Sequence, residues 1–232
     1  MDKLKQSKPS YIGHRQRIKT KYGKSGLNGW LDYEVLELVL SYAIPRKDTK
    51  SIARELLLRF KSINGVLDAD NRDLQSINGI SKHTALFLNL LKDVSVLYME
   101  ERMFGRDLLS SPQVVYDYLK VSLKGLMDEG FMMLFLDNRN QLIAMETLKN
   151  GTVNQAIVFP RKIVERALYY NAVGVLVAHN HPSGSLEPSQ EDQEVTKDIR
   201  EALKTVDITL LDHIIIGGNE FFSFKENQIE IE

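Results

Sequence analysis

The sequence contains no cysteine among its 232 residues. That excludes disulfides, thiolate metal ligands and a cysteine nucleophile, and leaves histidine and carboxylate as the side chains able to hold a metal ion. No run approaches the roughly 20 apolar residues that a membrane-spanning helix requires, and no signal peptide is visible, so a cytoplasmic protein with no membrane contact is expected. Tryptophan is scarce as well. The lone Trp30, like Met127, Met132 and Met133, reads as core filler. With 43% hydrophobic and 26% charged residues the composition is that of an ordinary globular chain, long enough for two small domains with a core in each.

Net charge is also low, at −1, but that balance hides an asymmetry. Residues 1–105 carry 18 Lys and Arg against 12 Asp and Glu, whereas residues 106–232 carry 12 against 19. Most of the basic excess lies in Lys3, Lys5, Lys8, Arg15, Arg17, Lys19, Lys21 and Lys24. Such an arm attracts a nucleic-acid backbone, and it is equally the composition of a solvated terminus.

From Leu31 to about Phe104 the pattern is helical. Val35, Leu36, Val39 and Leu40 share a face that ends before Pro45, and Ile52, Ala53, Leu56, Leu57 and Phe60 recur at helical spacing after Asp48. Two short helices around Val66-Leu67 and Leu74-Ile77 lead into Gly79-Ile80-Ser81-Lys82 and a longer helix to about Met103. This turn resembles a helix-hairpin-helix element, in which Gly79, Ser81 and Lys82 would approach a DNA phosphate. Ser81 stands where that element has its second glycine. A serine there obstructs close backbone approach and is also a natural N-cap, which supports a packing module instead.

The second half reads as α/β. Ser111-Pro112 starts a helix to about Lys124. Phe131–Asp137 and Gln141–Thr147 form a hairpin around Asn138-Arg139-Asn140, Gln155–Phe159 a third strand and Pro160–Tyr170 a crossover helix. Val173–His179 is a continuous apolar run suited to a strand buried on both faces. Ile208–Gly217 gives a further strand, and Phe221–Phe224 an edge. The expected architecture is a mixed sheet with flanking helices, residues 106–232, preceded by a small all-α domain with its basic arm, residues 1–105.

The buried strand delivers His179 and His181 to its end. Their i, i+2 spacing sends both rings to one face, where a single ion can take both. Pro182 and Gly184 break the strand. Ser189 then caps a helix whose first turn turns Asp192 back toward the histidines. Two His and one Asp leave a coordination position open, as catalytic zinc sites do. Ser189-x-x-Asp192 is also a plain capping arrangement. The letters His-Asn-His are not the nuclease signature of that name, whose residues lie far apart in sequence.

At these residues the chain resembles the JAB/MPN metalloprotease-like fold, whose signature is a glutamate, then His-x-His-Pro and, after seven intervening residues, Ser-x-x-Asp. Within that superfamily, His179-Asn180-His181-Pro182-Ser183-Gly184, Glu187-Pro188-Ser189 with Asp192, and Leu211-Asp212-His213-Ile214-Ile215 are similar to the bacterial RadC family. The likeness extends to Glu146-Thr147-Leu148 before Gly151-Thr152, to Pro160-Arg161, to Gly13-His14-Arg15 and to Ile44-Pro45-Arg46-Lys47-Asp48. It implies one Zn2+ held by His179, His181 and Asp192, with Glu146 as the base and Glu165 as its fallback. Ser189 would hydrogen-bond the oxyanion, and Asp212 and His213 would orient the ligands. It also implies hydrolysis of a peptide or isopeptide bond in a protein or peptide substrate, and the RadC name links the family with DNA repair. Two other readings stand beside it. One is a DNA-associated binding module with a vestigial or regulatory metal site, and the other a non-haem iron centre built on the same ligands.

Overall fold

The computed structural model describes residues 10–123, 126, 128–148 and 159–228. The expectations for Lys3, Lys5 and Lys8, for Met127, for Gly151-Thr152 and for a strand over residues 155–158 fall outside the described residues; Phe159 is the N-cap residue of a helix. The chain divides into two compact units between Val94 and Ser95. That point lies inside a helix, because Val96, Met99 and Met103 already belong to the core of the second unit.

The first unit holds α1 (Ser10–Ser25), α2 (Asp32–Ala43), α3 (Lys50–Phe60), α4 (Ile63–Asp68), α5 (Asn71–Gln75) and the start of α6 (Lys82–Glu101). Leu36 and Leu40 of α2 meet Ile52, Ala53 and Leu56 of α3 in a core closed by Val66, Leu74 and Leu88. Each such leucine, fully buried, stabilises the unit by roughly 1.5–3 kcal/mol. The basic stretch contains a helix, α1, that apolar periodicity did not announce, because polar contacts hold it. His14 lies 2.7 Å from the buried carboxylate of Glu37. Arg15 donates to the carbonyls of Ser41, Ile44 and Lys47, which have no helical partner at the end of α2 and in the loop after it.

The second unit contains the rest of α6, then α7 (Pro112–Leu123), β1 (Phe131–Leu136), β2 (Leu142–Leu148), α8 (Pro160–Tyr169), β3 (Gly174–His181), α9 (Gln190–Lys204), β4 (Thr209–Gly217) and β5 (Glu220–Ser223). The sheet order is β2-β1-β3-β4-β5, with β3 and β4 parallel and the other pairs antiparallel. α7 covers one face, packing Leu119 and Leu123 on Leu134, Leu176 and Ile214. On the other face α8 and α9 pack Ile163, Ala167, Ile199 and Leu203 on Met133, Val175 and Val177. β3 is therefore buried on both sides, as its unbroken apolar run requires.

One irregularity sets what the sheet presents. Between β3 and β4 the register shifts after Val175↔Leu210, so that Leu176 pairs with Asp212 and Val177 with His213. The extra residue is Leu211, and this bulge reverses the alternation of β4 from that point on. Asp212 consequently shares the α7 face with Leu176, and His213 shares the α8–α9 face with Val177. Gly174 makes room for the bulge. A Cβ at that position would lie 2.7 Å from Leu211 Cδ1 and 3.1 Å from its Cγ. Gly174→Ala is accordingly expected to lower stability by about 1–3 kcal/mol in denaturant unfolding; an unchanged midpoint would show that the bulge tolerates a side chain beneath it.

Candidate metal centre

His179 and His181 lie at the end of β3 with both rings on the α8–α9 face, as their spacing predicts. α9 supplies the third group. Its N-cap, Ser189, accepts the Asp192 N–H at 3.1 Å, and Asp192 Oδ2 in return accepts the Ser189 N–H at 2.8 Å and hydroxyl at 2.7 Å. This reciprocal cap turns the carboxylate toward the histidines. His179 Nε2 lies 2.9 Å from His181 Nε2 and 3.0 Å from Asp192 Oδ1, and His181 Nε2 lies 3.3 Å from Asp192 Oδ2. His179 is buried, while His181 and Asp192 keep some exposure. Among the described residues this is the one cluster of three such groups with metal-ligand spacing.

The direction of each proton in the cluster follows from two backbone carbonyls, which can only accept. Thr196 Oγ1 donates to the Asp192 carbonyl, so toward His213 Nδ1, 2.5 Å away, it must act as acceptor. His213 therefore carries its proton on Nδ1 and offers a lone pair at Nε2. That lone pair accepts from His179 Nδ1 at 2.8 Å, which in a neutral ring turns His179 Nε2 into a ligand atom. His181 Nδ1 donates to the Ser185 carbonyl at 3.1 Å, with the same consequence for its own Nε2. Two imidazole nitrogens and a carboxylate thus converge within about 3.3 Å. Such an arrangement calls for a cation. Ligand atoms around one tetrahedral zinc ion, each bonded at about 2.0 Å, stand about 3.3 Å apart, so the donor set fits that ion.

Burial alone would raise the Asp192 carboxyl, but the bonds from Ser189, together with the positive charge that a proton on His179 brings, outweigh it and hold the group well below the usual carboxylate range. Burial pushes the His213 imidazole far below its ordinary value, and it stays neutral, stacked 4.9 Å from the Phe224 ring.

His213 lies against His179 Nδ1, but Asp212 is not beside it. Neighbouring residues of a strand face opposite sides. Asp212 lies on the α7 face, where it accepts from the Ser223 hydroxyl at 2.6 Å and from the backbone N–H groups of His213 and Lys225. Burial raises its pKa. It closes the β4–β5 end of the sheet and has no part in the cluster.

Glu146 is not brought to the cluster either. It pairs across β1 with Met133, two strands from Val177. Its Oε1 receives the Arg166 guanidinium and the Tyr170 hydroxyl, the latter at 2.7 Å, and the Arg166 bond holds its carboxyl below the usual range. The fallback, Glu165, is exposed on α8. A different carboxylate is better placed. Phe131 pairs with His179, and Glu129 lies two residues before Phe131. The Asn180 side chain fastens this approach to β1 on both sides of Glu129, accepting the Gly130 N–H at 2.7 Å and donating to the Asp128 carbonyl at 3.3 Å. The Phe131 ring lies 6.4 Å from that of His179, so the start of β1 lies beside the cluster. The visible signal was an acidic residue directly before an apolar strand; what the sequence withheld was that this strand lies beside β3.

In the first unit, Gly79 takes φ +94, and a Cβ there would lie 2.7 Å from Ile52 Cδ1. Ser81 caps α6, its hydroxyl accepting the Thr84 N–H at 3.2 Å. One of the backbone donors that a phosphate would use is therefore taken, and Lys82 begins the helix as an exposed side chain.

Comparison with known proteins is in keeping with this geometry. Residues 109–229 match the family model described as a RadC-like JAB domain. The chain is 38% identical over 221 residues to a UPF0758 protein of Fusobacterium nucleatum, spanning 92% of this chain and 95% of that protein. It is 39% identical over 215 residues to a UPF0758 protein of Pseudoalteromonas translucida, spanning 93% and 96%.

The proton chain makes a specific demand of Thr196. Thr196→Val removes the acceptor for His213 Nδ1–H and is expected to weaken divalent-metal binding about 10- to 100-fold, whereas Thr196→Ser should stay near wild type. Competition titration against a chromophoric chelator reads both; equal affinity in the valine variant would refute the relay.

Proposed function

The chain belongs to the RadC family, and on that premise we propose that it is a zinc-dependent hydrolase of the JAB type, cleaving a peptide or isopeptide bond. The observation that carries the reading is the convergence of His179, His181 and Asp192 at metal-ligand spacing, each held by bonds from neighbouring groups. His179, His181 and Asp192 would hold the ion and leave a fourth position free toward the exposed side of the cluster. A bound zinc ion would supply Lewis acidity toward the scissile carbonyl and the attacking water.

The remaining work falls to the chain. Glu129, two residues before the strand partner of His179, would take the proton of the attacking water and return it to the leaving nitrogen. Ser189, whose hydroxyl proton is committed to Asp192 Oδ2, would position that ligand. Glu146, held by Arg166 and Tyr170, would tie β2 to α8. In purified protein, His179→Ala should lose zinc, and Glu129→Gln should keep zinc while lowering turnover of an isopeptide substrate by about 10²- to 10⁴-fold. Glu146→Gln should keep both zinc and turnover. Loss of turnover in Glu146→Gln with full activity in Glu129→Gln would move the base back to Glu146.

A DNA-associated role is the second reading, and α1 is what favours it. Arg17, Lys19 and Lys24 are exposed along this helix, while Lys21 is paired with Glu34 at 2.9 Å. Binding to duplex DNA should then weaken steeply with salt, fall in the triple Arg17→Ala, Lys19→Ala, Lys24→Ala variant and survive His179→Ala. Affinity indifferent to salt would count against it.

A further inference from the structure

We propose that a cavity beneath the start of α7 binds a small organic ammonium ion with an apolar body, and that Asp212 is its counter-ion. The cavity measures about 340 Å³. That is near the lower end of the range of about 300–1,000 Å³ in which small-molecule sites fall. Pro112 and Val115 of α7 form one wall, and Leu176, Leu211 and Ile214 of the sheet form the other. The cavity thus lies on the α7 face, with the sheet between it and the metal cluster.

The polar groups of the lining select the charge of the occupant. Asp212 is only 9% exposed, yet the bonds it receives come from neutral donors, the Ser223 hydroxyl and the backbone N–H groups of His213 and Lys225. Both N–H groups go to Oδ1 and the hydroxyl alone to Oδ2, which leaves Oδ2 an acceptor position. Among the described residues no cationic side chain pairs with this carboxylate; Lys225 is exposed where it lines the cavity and bonds Asp212 through its backbone. Burial raises the Asp212 pKa, as it does for a carboxylate with no cation against it. Glu226 adds a second carboxylate to the lining, its Oε1 held by the Tyr116 hydroxyl at 2.7 Å. An anionic ligand would meet both carboxylates, and a neutral one would leave the buried charge of Asp212 uncompensated. An ammonium group donates to Oδ2 and neutralises it, while its apolar body covers the two walls.

Three probes that differ only in their head group test this: phenylbutylammonium, phenylbutanol and phenylbutyrate. Isothermal titration calorimetry of the full chain should show one saturable site for the ammonium ion, at least about tenfold tighter than for the alcohol, and no binding of the carboxylate. Chelator-treated protein should bind the ammonium ion equally, which separates the cavity from coordination at the metal cluster. Leu109→Trp, at a half-buried position in the lining, should abolish binding with the unfolding temperature unchanged, and Asp212→Asn should reduce the ammonium ion to the affinity of the alcohol. The comparison of head groups in wild type decides the matter even where Asp212→Asn fails to fold. No saturable binding, equal affinity for ammonium ion and alcohol, binding that survives Leu109→Trp, or loss of binding on chelation would each overturn the proposal.

Discussion

The metal centre depends on a carbonyl oxygen that has no proton to give. The Asp192 carbonyl accepts from Thr196, and from that single direction the states of His213 and His179 follow in turn. The same α9 turn supplies the Asp192 side chain, so one helical segment presents both a ligand and the anchor that fixes the tautomer of another ligand. Ser189 completes the coupling by capping this segment and bonding the carboxylate. Helix start, ligand orientation and proton direction are therefore one structural event. A disturbance of the cap would be felt at all three ligands.

The sheet supplies the second constraint. Two histidines on alternate residues need a strand end, and a buried strand needs cover on both faces, which α7 on one side and α8 with α9 on the other provide. The bulge at Leu211 reconciles the parallel β3–β4 pair with the need to bring His213 beneath His179. Without the extra residue, β4 would turn His213 toward α7, and the proton chain would have no middle member.

Much of this was legible in the residues. The ligand triad, the strand that carries it, the hairpin before it and the order of helices in the first unit follow from periodicity, caps and breakers, which are local signals. What was not legible is non-local. Asp212 and His213 read as a pair because nothing in the letters marks a bulge, although strand alternation allows at most one of them to face the site. Glu146 drew attention through its neighbours in sequence, yet sheet order sets it two strands away and gives it to Arg166 and Tyr170. Glu129 was overlooked because its value comes from the pairing of β1 with β3 across some 50 residues of chain. α1 was missed for a related reason: its hold on the unit is through polar contacts of His14 and Arg15, which leave no apolar stripe.

The choice of histidine rather than a carboxylate beneath His179 also follows from charge. Metal-binding histidines commonly donate to a carboxylate or a backbone carbonyl, and a carboxylate at 213 would satisfy the His179 N–H equally well in geometry. It would, however, be almost fully buried, lined by Phe131 and Phe224. Taking an ionised group into that position costs on the order of several kcal/mol of desolvation. It would also stand one ring away from Asp192, adding a second negative charge to the ligand sphere and reducing the electrophilicity of any divalent ion held there. Neutral His213 accepts the proton of His179 without either effect. By passing the hydrogen bond on to Thr196 and the Asp192 backbone, it ends the chain on a group that needs no counter-ion, and so adds no charge to that of Asp192 in the cluster.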